Sequence, residues 1–141
     1  MAGTIRLQVV TPEKLVVDEE AQIVMAPGSQ GEFGVLIGHT PFLTTLKNGT
    51  VRYDDPAGQE HYVFVSGGFA EALPDRVTVL AESAEKQNEI DQTRAQAALE
   101  RAQKRLGGEP IVPGEKIDEA RARAALERAI HRLALAKQGG G

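Results

Sequence analysis

The residues most able to do chemistry fall into four groups. Gly28-Ser-Gln-Gly-Glu-Phe-Gly34 carries a glycine at every third position, a flexible backbone of the kind that cradles phosphates. It lacks the Gly-Lys-Ser/Thr ending of a P-loop and the G-x-G-x-x-G spacing of a dinucleotide site, so its glycines read as turn residues. His39, in Gly38-His39-Thr40-Pro41, has the side chain of a general base, yet the sequence identifies neither an acidic orienter nor a nucleophile for it. Ser66-Gly67-Gly68 is no nucleophile elbow, because that motif needs glycine two places before the serine and this chain has Phe64 there. The fourth group is arginine. At 100° per residue, Arg121, Arg128 and Arg132 fall within about 40° of one another on a helix, and Leu126, Ile130 and Leu133 lie roughly 130° away. Arg94, Arg101 and Arg105 form a comparable stripe. Such a stripe is either a solvated face, with Glu100 and Glu127 as local partners, or a surface for a polyanion: phosphates or an acidic protein. Nothing reads as a catalytic site.

The elements that must position these residues change character along the chain. Ile5, Leu7 and Val9 alternate with Arg6, Gln8 and Val10, and short β-rich runs recur at 21–26, 42–46, 50–53, 61–65 and 76–81. Turn residues separate them: Pro27-Gly28, Gly38, Asn48-Gly49, Asp55-Pro56, Gly67-Gly68 and Pro74-Asp75. Short strands at such spacing predict an antiparallel β-sandwich over residues 1–84. After Ala84 the period becomes 3.6. Ala95, Leu99, Ala102 and Leu106 share one helical face, as do Ala122, Leu126, Ala129, Ile130 and Leu133. Residues 85–141 therefore read as a two-helix hairpin, with Asp91 and Asp118 as N-caps. Its connection, Gly107 to Lys116, is broken by Pro110 and Pro113-Gly114, and the terminal glycines 139–141 are expected to fray. The helices resemble each other: 90–106 aligned with 117–133 gives twelve identities in seventeen. That match is either a local duplication or a shared use of good helix formers. Their apolar stripes are narrow and alanine-rich, so the hairpin buries little area and is a natural moving part.

Composition removes several classes. The chain has 141 residues, 16 Lys and Arg against 20 Asp and Glu, and no cysteine. Disulfides, thiolate metal sites and cysteine nucleophiles are excluded together, and His39, His61 and His131 form no pair at metal-binding spacing. An acidic chain with 4% aromatic residues is a poor nucleic-acid binder. No apolar run approaches the roughly 18 residues of a membrane span, and the start of the chain has no signal-peptide pattern. Charge is uneven: residues 1–84 hold five basic and eleven acidic side chains, and 85–141 hold eleven basic and nine acidic.

Several motifs occur together in one order: Gly28 to Gly34, Val35-Leu-Ile-Gly-His-Thr-Pro-Phe-Leu43, Ser66-Gly-Gly-Phe-Ala-Glu71, Val77-Thr-Val-Leu-Ala81, and Ile-Asp-x-x-Arg-Ala at the start of a helix. In this the chain resembles the epsilon subunit of bacterial F-type ATP synthases, over essentially its whole length. It departs in its Pro- and Gly-containing interhelical loop and in carrying Ile-Asp-x-x-Arg-Ala twice, at 90–95 and 117–122.

The resemblance implies a non-catalytic rotor subunit of the proton-translocating enzyme, peripheral on the cytoplasmic face of the bacterial inner membrane. Its sandwich would join the gamma subunit to the c-ring, with Glu32 and His39 near the ring. Its helices, extended along gamma, would block ATP hydrolysis by bringing Arg121, Arg128 and Arg132 to a catalytic beta subunit. No cofactor is implied, although ATP as a regulatory ligand is. Glu85, Ile90, Asp91, Arg94 and Ala95, with Arg101, Arg128 and Arg132, match the positions expected to reach the nucleotide. The alternative from the residues is a free-standing ATP-binding sensor. A DNA-binding hairpin fits poorly with the overall acidity.

Overall fold

The computed structural model describes residues 3–139, and the chain divides into two compact units, Met1–Gln87 and Asn88–Gly141. Among the described residues the first unit holds ten strands: β1 (Ile5–Val10), β2 (Leu15–Ala21), β3 (Ile23–Gly28), β4 (Gly31–Val35), β5 (Phe42–Thr45), β6 (Gly49–Asp54), β7 (Glu60–Ser66), β8 (Phe69–Leu73), β9 (Arg76–Leu80) and β10 (Ser83–Lys86). They form two five-stranded sheets, ordered β2-β1-β9-β8-β5 and β10-β7-β6-β3-β4. This is the expected sandwich, with one departure: β1 and β9 pair in parallel, Leu7 beside Val77 and Val9 beside Val79. All other strand pairs among the described residues are antiparallel.

Alternation sets which face of each sheet is covered. Ile5, Leu7 and Val9 are fully buried and meet Val17, Val24, Val51, Tyr53, Val63, Val77 and Val79 in one core. Small β-branched residues dominate it, which suits two closely stacked pleated sheets.

Four strands lie outside the expected runs. In β2 the acidic string Asp18-Glu19-Glu20 conceals the pattern. Arg6 on β1 reaches Asp18 at 2.7 Å and Glu20 at 3.3 Å on the outer face, whereas Glu19 accepts from the buried Tyr53 hydroxyl at 2.8 Å. Strand β4 is the second arm of a hairpin in which Gly28 pairs with Gly31, so the glycine-rich segment is a turn between strands. Glu32 consequently sits on a strand and not in a loop. Strand β8 follows Gly67-Gly68. Gly68 has φ +106°, and a Cβ there would lie 1.9 Å from the Leu80 carbonyl oxygen, so the turn into β8 admits no side chain. Strand β10 pairs with β7, Ser83 beside Ser66 and Lys86 beside Val63.

The second unit holds α1 (Gln92–Leu106) and α2 (Glu119–Gly139), which pack on each other. Gly140 and Gly141, part of the tail expected to fray, lie outside the described residues; Gly139 ends α2. Ala95 and Ala102 on α1, and Ala122, Ala129 and Leu133 on α2, are buried. Ile130 departs from the expected face, with half of its surface exposed. No described helix is long and apolar enough to cross a membrane.

Candidate functional site

Both expected helix caps are formed. The Asp91 carboxylate accepts the Arg94 backbone N–H at 3.0 Å, and Asp118 accepts that of Arg121 at 3.1 Å. Each ties down one of the amides that a first helical turn leaves unpaired. Between the helices, Gly108 and Gly114 take positive φ, +86° and +81°. Glu115 then closes the loop. It accepts from Arg105 Nη2 at 2.8 Å and Nε at 3.1 Å, and from the Ile111 backbone N–H at 2.9 Å. These contacts, led by the Arg105 guanidinium, hold the Glu115 carboxyl below the usual carboxylate range.

Beside this closure lies a cavity of about 330 Å³, entirely within the helical unit and lined in part by Arg105, Lys116, Asp118, Arg121 and Arg128. Of the arginines expected to meet a polyanion, it brings Arg105, Arg121 and Arg128 together, and adds Lys116 from the interhelical loop. The remaining expected nucleotide residues are placed differently. Ile90 and Ala95 are buried, Arg94 and Arg101 are exposed, Arg132 is half-buried, and Asp91 is engaged as a cap. Glu85 belongs to the other unit, on β10 beside Phe64 of β7. A groove along the helices is lined by Gln92, Gln96, Ala97, Glu100, Leu133 and Lys137, residues without a strong charge bias.

In the sandwich, His39 lies in the loop after β4. Its ring meets Phe42 edge-on at 4.9 Å, and Phe42 meets Phe33 at 5.1 Å. Leu36 and Ile37 beside it are exposed, so the loop presents an apolar surface with an imidazole inside it. His39 Nδ1 is buried without a hydrogen-bond partner among the described residues. Glu32 is exposed on β4, opposite Pro27. Ser66 is structural: its hydroxyl is 2.7 Å from that of Ser83 and accepts the Ser83 N–H at 3.1 Å.

The outer face of the first sheet carries a feature that needed strand register to be seen. Phe69 on β8 pairs with Leu80 on β9 and with Thr45 on β5, and Leu43 lies two residues from Thr45 on the same face. Leu43, Phe69 and Leu80 are 70%, 52% and 51% exposed. Next to them a shallow hollow of about 670 Å³ is lined by Val10, Pro12, Leu46, Phe69 and Leu80. Large apolar side chains left exposed side by side are uncommon on a surface that meets only water.

Residues 4–87 match the family described as ATP synthase, Delta/Epsilon chain, beta-sandwich domain. The chain belongs to the ATP synthase epsilon-chain family. An ATP synthase epsilon chain of Desulfosudis oleivorans is 64% identical over 106 residues, covering 75% of this chain and 80% of that one. The epsilon chain of Koribacter versatilis is 47% identical, with coverages of 75% and 74%. A chain in the Euglena gracilis mitochondrial ATP synthase assembly of OSCP, F1 and c-ring superposes with a TM-score of 0.76 at 24% identity, over 95% of this chain and 82% of that chain. At that identity the likeness is one of fold. The family's sandwich match ends at Gln87, where the first compact unit ends. Among the described residues there is no cluster of His, Asp and Glu able to hold a metal ion.

Proposed function

We propose that this chain is a non-catalytic subunit of the central stalk of a bacterial ATP synthase, with its sandwich seated on the gamma subunit and its loops against the c-ring. The observation that carries the reading is the exposed strip Leu43, Phe69 and Leu80, which supplies a footprint for gamma on a rigid sheet. A stiff sandwich suits an element that must transmit torque. The apolar loop around His39, with Glu32 on the strand before it, is the surface assigned to the c-ring. The complex would hold the chain peripherally at the cytoplasmic face of the inner membrane.

The helical unit is the regulatory part of this proposal. Extended along gamma, α2 would carry Arg121, Arg128 and Arg132 towards an acidic surface of a catalytic beta subunit and block ATP hydrolysis. Each exposed pair contributes only about 0–1 kcal/mol, but several together, with Leu126, Ile130 and Leu133 packed on gamma, can outweigh an alanine-rich helix pair. The half-exposed Ile130 supports this, since it is an apolar side chain left available. ATP bound to the folded helical unit at Ile90, Asp91, Arg94 and Ala95, with Arg101, Arg128 and Arg132, would oppose extension. At nine times its dissociation constant it would contribute about 1.4 kcal/mol.

The test is ATP hydrolysis by the assembled enzyme carrying the intact chain, a chain truncated after Leu106, or the triple variant Arg121→Ala, Arg128→Ala, Arg132→Ala. Truncation should raise hydrolysis and leave coupling to the ring intact, and the triple variant should move most of the way there. Unchanged hydrolysis after truncation removes the inhibitory role. Loss of co-purification with gamma in Phe69→Ser, Leu80→Ser tests the sandwich footprint separately.

A further inference from the structure

The glycine-rich segment Gly28 to Gly34 forms the tip of the β3–β4 hairpin, and β4 is the outermost strand of its sheet. Three glycines in seven residues cost more chain entropy to order than other residues would, and a strand held on one side is where a sheet opens first. Ties from the opposite sheet hold this tip. The Ser29 N–H donates to the Thr45 carbonyl at 2.9 Å, and the Ser29 and Thr45 hydroxyls are 2.6 Å apart. Two residues on, the Lys47 N–H donates to the Pro27 carbonyl at 3.0 Å. At the other end of β5, Phe42 meets Phe33 of β4 edge-on. Strand β5 is itself the last strand of the first sheet, so these contacts join the open edges of the two sheets in a seam.

The two surfaces of the proposed function flank that seam. Glu32, exposed on β4, lies along the chain between Ser29 and Phe33; Leu43, exposed on β5, lies between Phe42 and Thr45. Each side chain is thus bracketed by the same two links. A surface already held in its bound geometry loses less freedom on binding than one its partner must order. We infer that Ser29 and Thr45 are positioning residues: their paired hydroxyls hold the β3–β4 hairpin against β5, so that Glu32 is presented to the c-ring at a fixed distance from the strip on gamma. The inference rests on the central-stalk reading, and on its c-ring face in particular. Ser29 and Thr45 act through Glu32 and need touch no partner themselves.

The experiment puts the double variant Ser29→Ala, Thr45→Val into the catalytic sector of the assembled enzyme and rebinds that sector to membranes stripped of it. The readout is the sector concentration that half-restores ATP-driven proton pumping. Backbone amide exchange in the intact chain is followed alongside by NMR. Loss of the hydroxyl pair should raise the half-restoring concentration at least about threefold, the scale of one lost hydrogen bond. Exchange should quicken at Gln30 to Phe33 and not elsewhere in the sandwich, with co-purification with gamma unchanged. Ser29→Thr, Thr45→Ser keeps both hydroxyls and should match the parent in both measurements. Three outcomes overturn the inference: unchanged hairpin exchange, acceleration spread evenly over the sandwich, or faster hairpin exchange with unchanged pumping. Glu32→Ala separates this inference from the reading beneath it. If Glu32→Ala raises the half-restoring concentration and the double variant does not, the positioning role fails and the c-ring face stands. If neither raises it, the assignment of Glu32 to the ring fails, and the positioning role with it.

Discussion

Arg105 at the end of α1 grips Glu115 across the interhelical loop through two nitrogens, at 2.8 and 3.1 Å, while Glu115 also accepts the Ile111 N–H. One carboxylate thus closes a loop that its prolines and glycines would otherwise leave open, and it places Lys116 and the start of α2 beside Arg105. Replacing Glu115 with Gln removes the charge while keeping its size. The Ile111 amide should then exchange hydrogen faster, by NMR, with the sandwich amides unaffected. A carboxylate held below its ordinary range stabilises the fold above about pH 4.3 and loses that contribution as pH falls through its lower folded-state value. The same acceleration should therefore appear in the unaltered chain below that range and be absent at neutral pH.

Asp55 is a second acid-sensitive staple, in the turn between β6 and β7. It accepts the Ala57 and Gln59 N–H groups at 2.9 and 3.0 Å and pairs with His61 Nε2 at 2.8 Å. The His61 bond leads in holding its carboxyl low. Asp55→Ala should destabilise the sandwich at neutral pH in urea melts, and the gap from the parent should narrow as pH falls below about 4 and the parent carboxyl protonates.

Tyr53 is buried, stacks on His61 at 4.9 Å, and donates to Glu19 at 2.8 Å. Burial first and the Glu19 carboxylate second raise its phenol above the ordinary range. Tyr53→Phe should cost about 1 kcal/mol, the net value of the hydrogen bond. Tyr53→Ala should cost about 3–5 kcal/mol through the cavity it leaves. Equal costs in a denaturant series would show that the hydroxyl, and not the ring, dominates.

Two glycines separate backbone strain from collision. Gly58, φ +85°, has open space where a Cβ would go, and Gly68 has the Leu80 oxygen there. Gly58→Ala should cost roughly 1–2 kcal/mol for the left-handed conformation alone. Gly68→Ala should cost clearly more, or prevent folding, because β8 and β9 would have to separate. Similar melting midpoints for the two would count against the close approach.

Cutting the chain tests the independence of the first unit. A fragment of residues 1–87 should unfold in one cooperative transition. A fragment ending at Glu82 loses β10, and with it the Ser66–Ser83 contact and the edge of β7, so it should melt lower.

The order of types, strands and then helices, was legible because hydrophobic period is local. Ile5, Leu7 and Val9 announce a strand by themselves, and Asp91 and Asp118 announce helix starts because a cap involves only the next three residues. Strands β2, β4, β8 and β10 were not legible. Asp18, Glu19 and Glu20 look like a solvated run until Arg6 and Tyr53 are brought across from other strands, and the glycines around β4 look like a loop until Gly28 meets Gly31. Sequence determined that two arginine stripes exist and that one copy of Ile-Asp-x-x-Arg-Ala is followed by another. Tertiary structure decided that Arg105 joins Arg121 and Arg128 around one cavity, and that Leu43, Phe69 and Leu80 form one strip. Both depend on strand register or loop closure, which bring together side chains distant in the chain, and no local pattern encodes such distances.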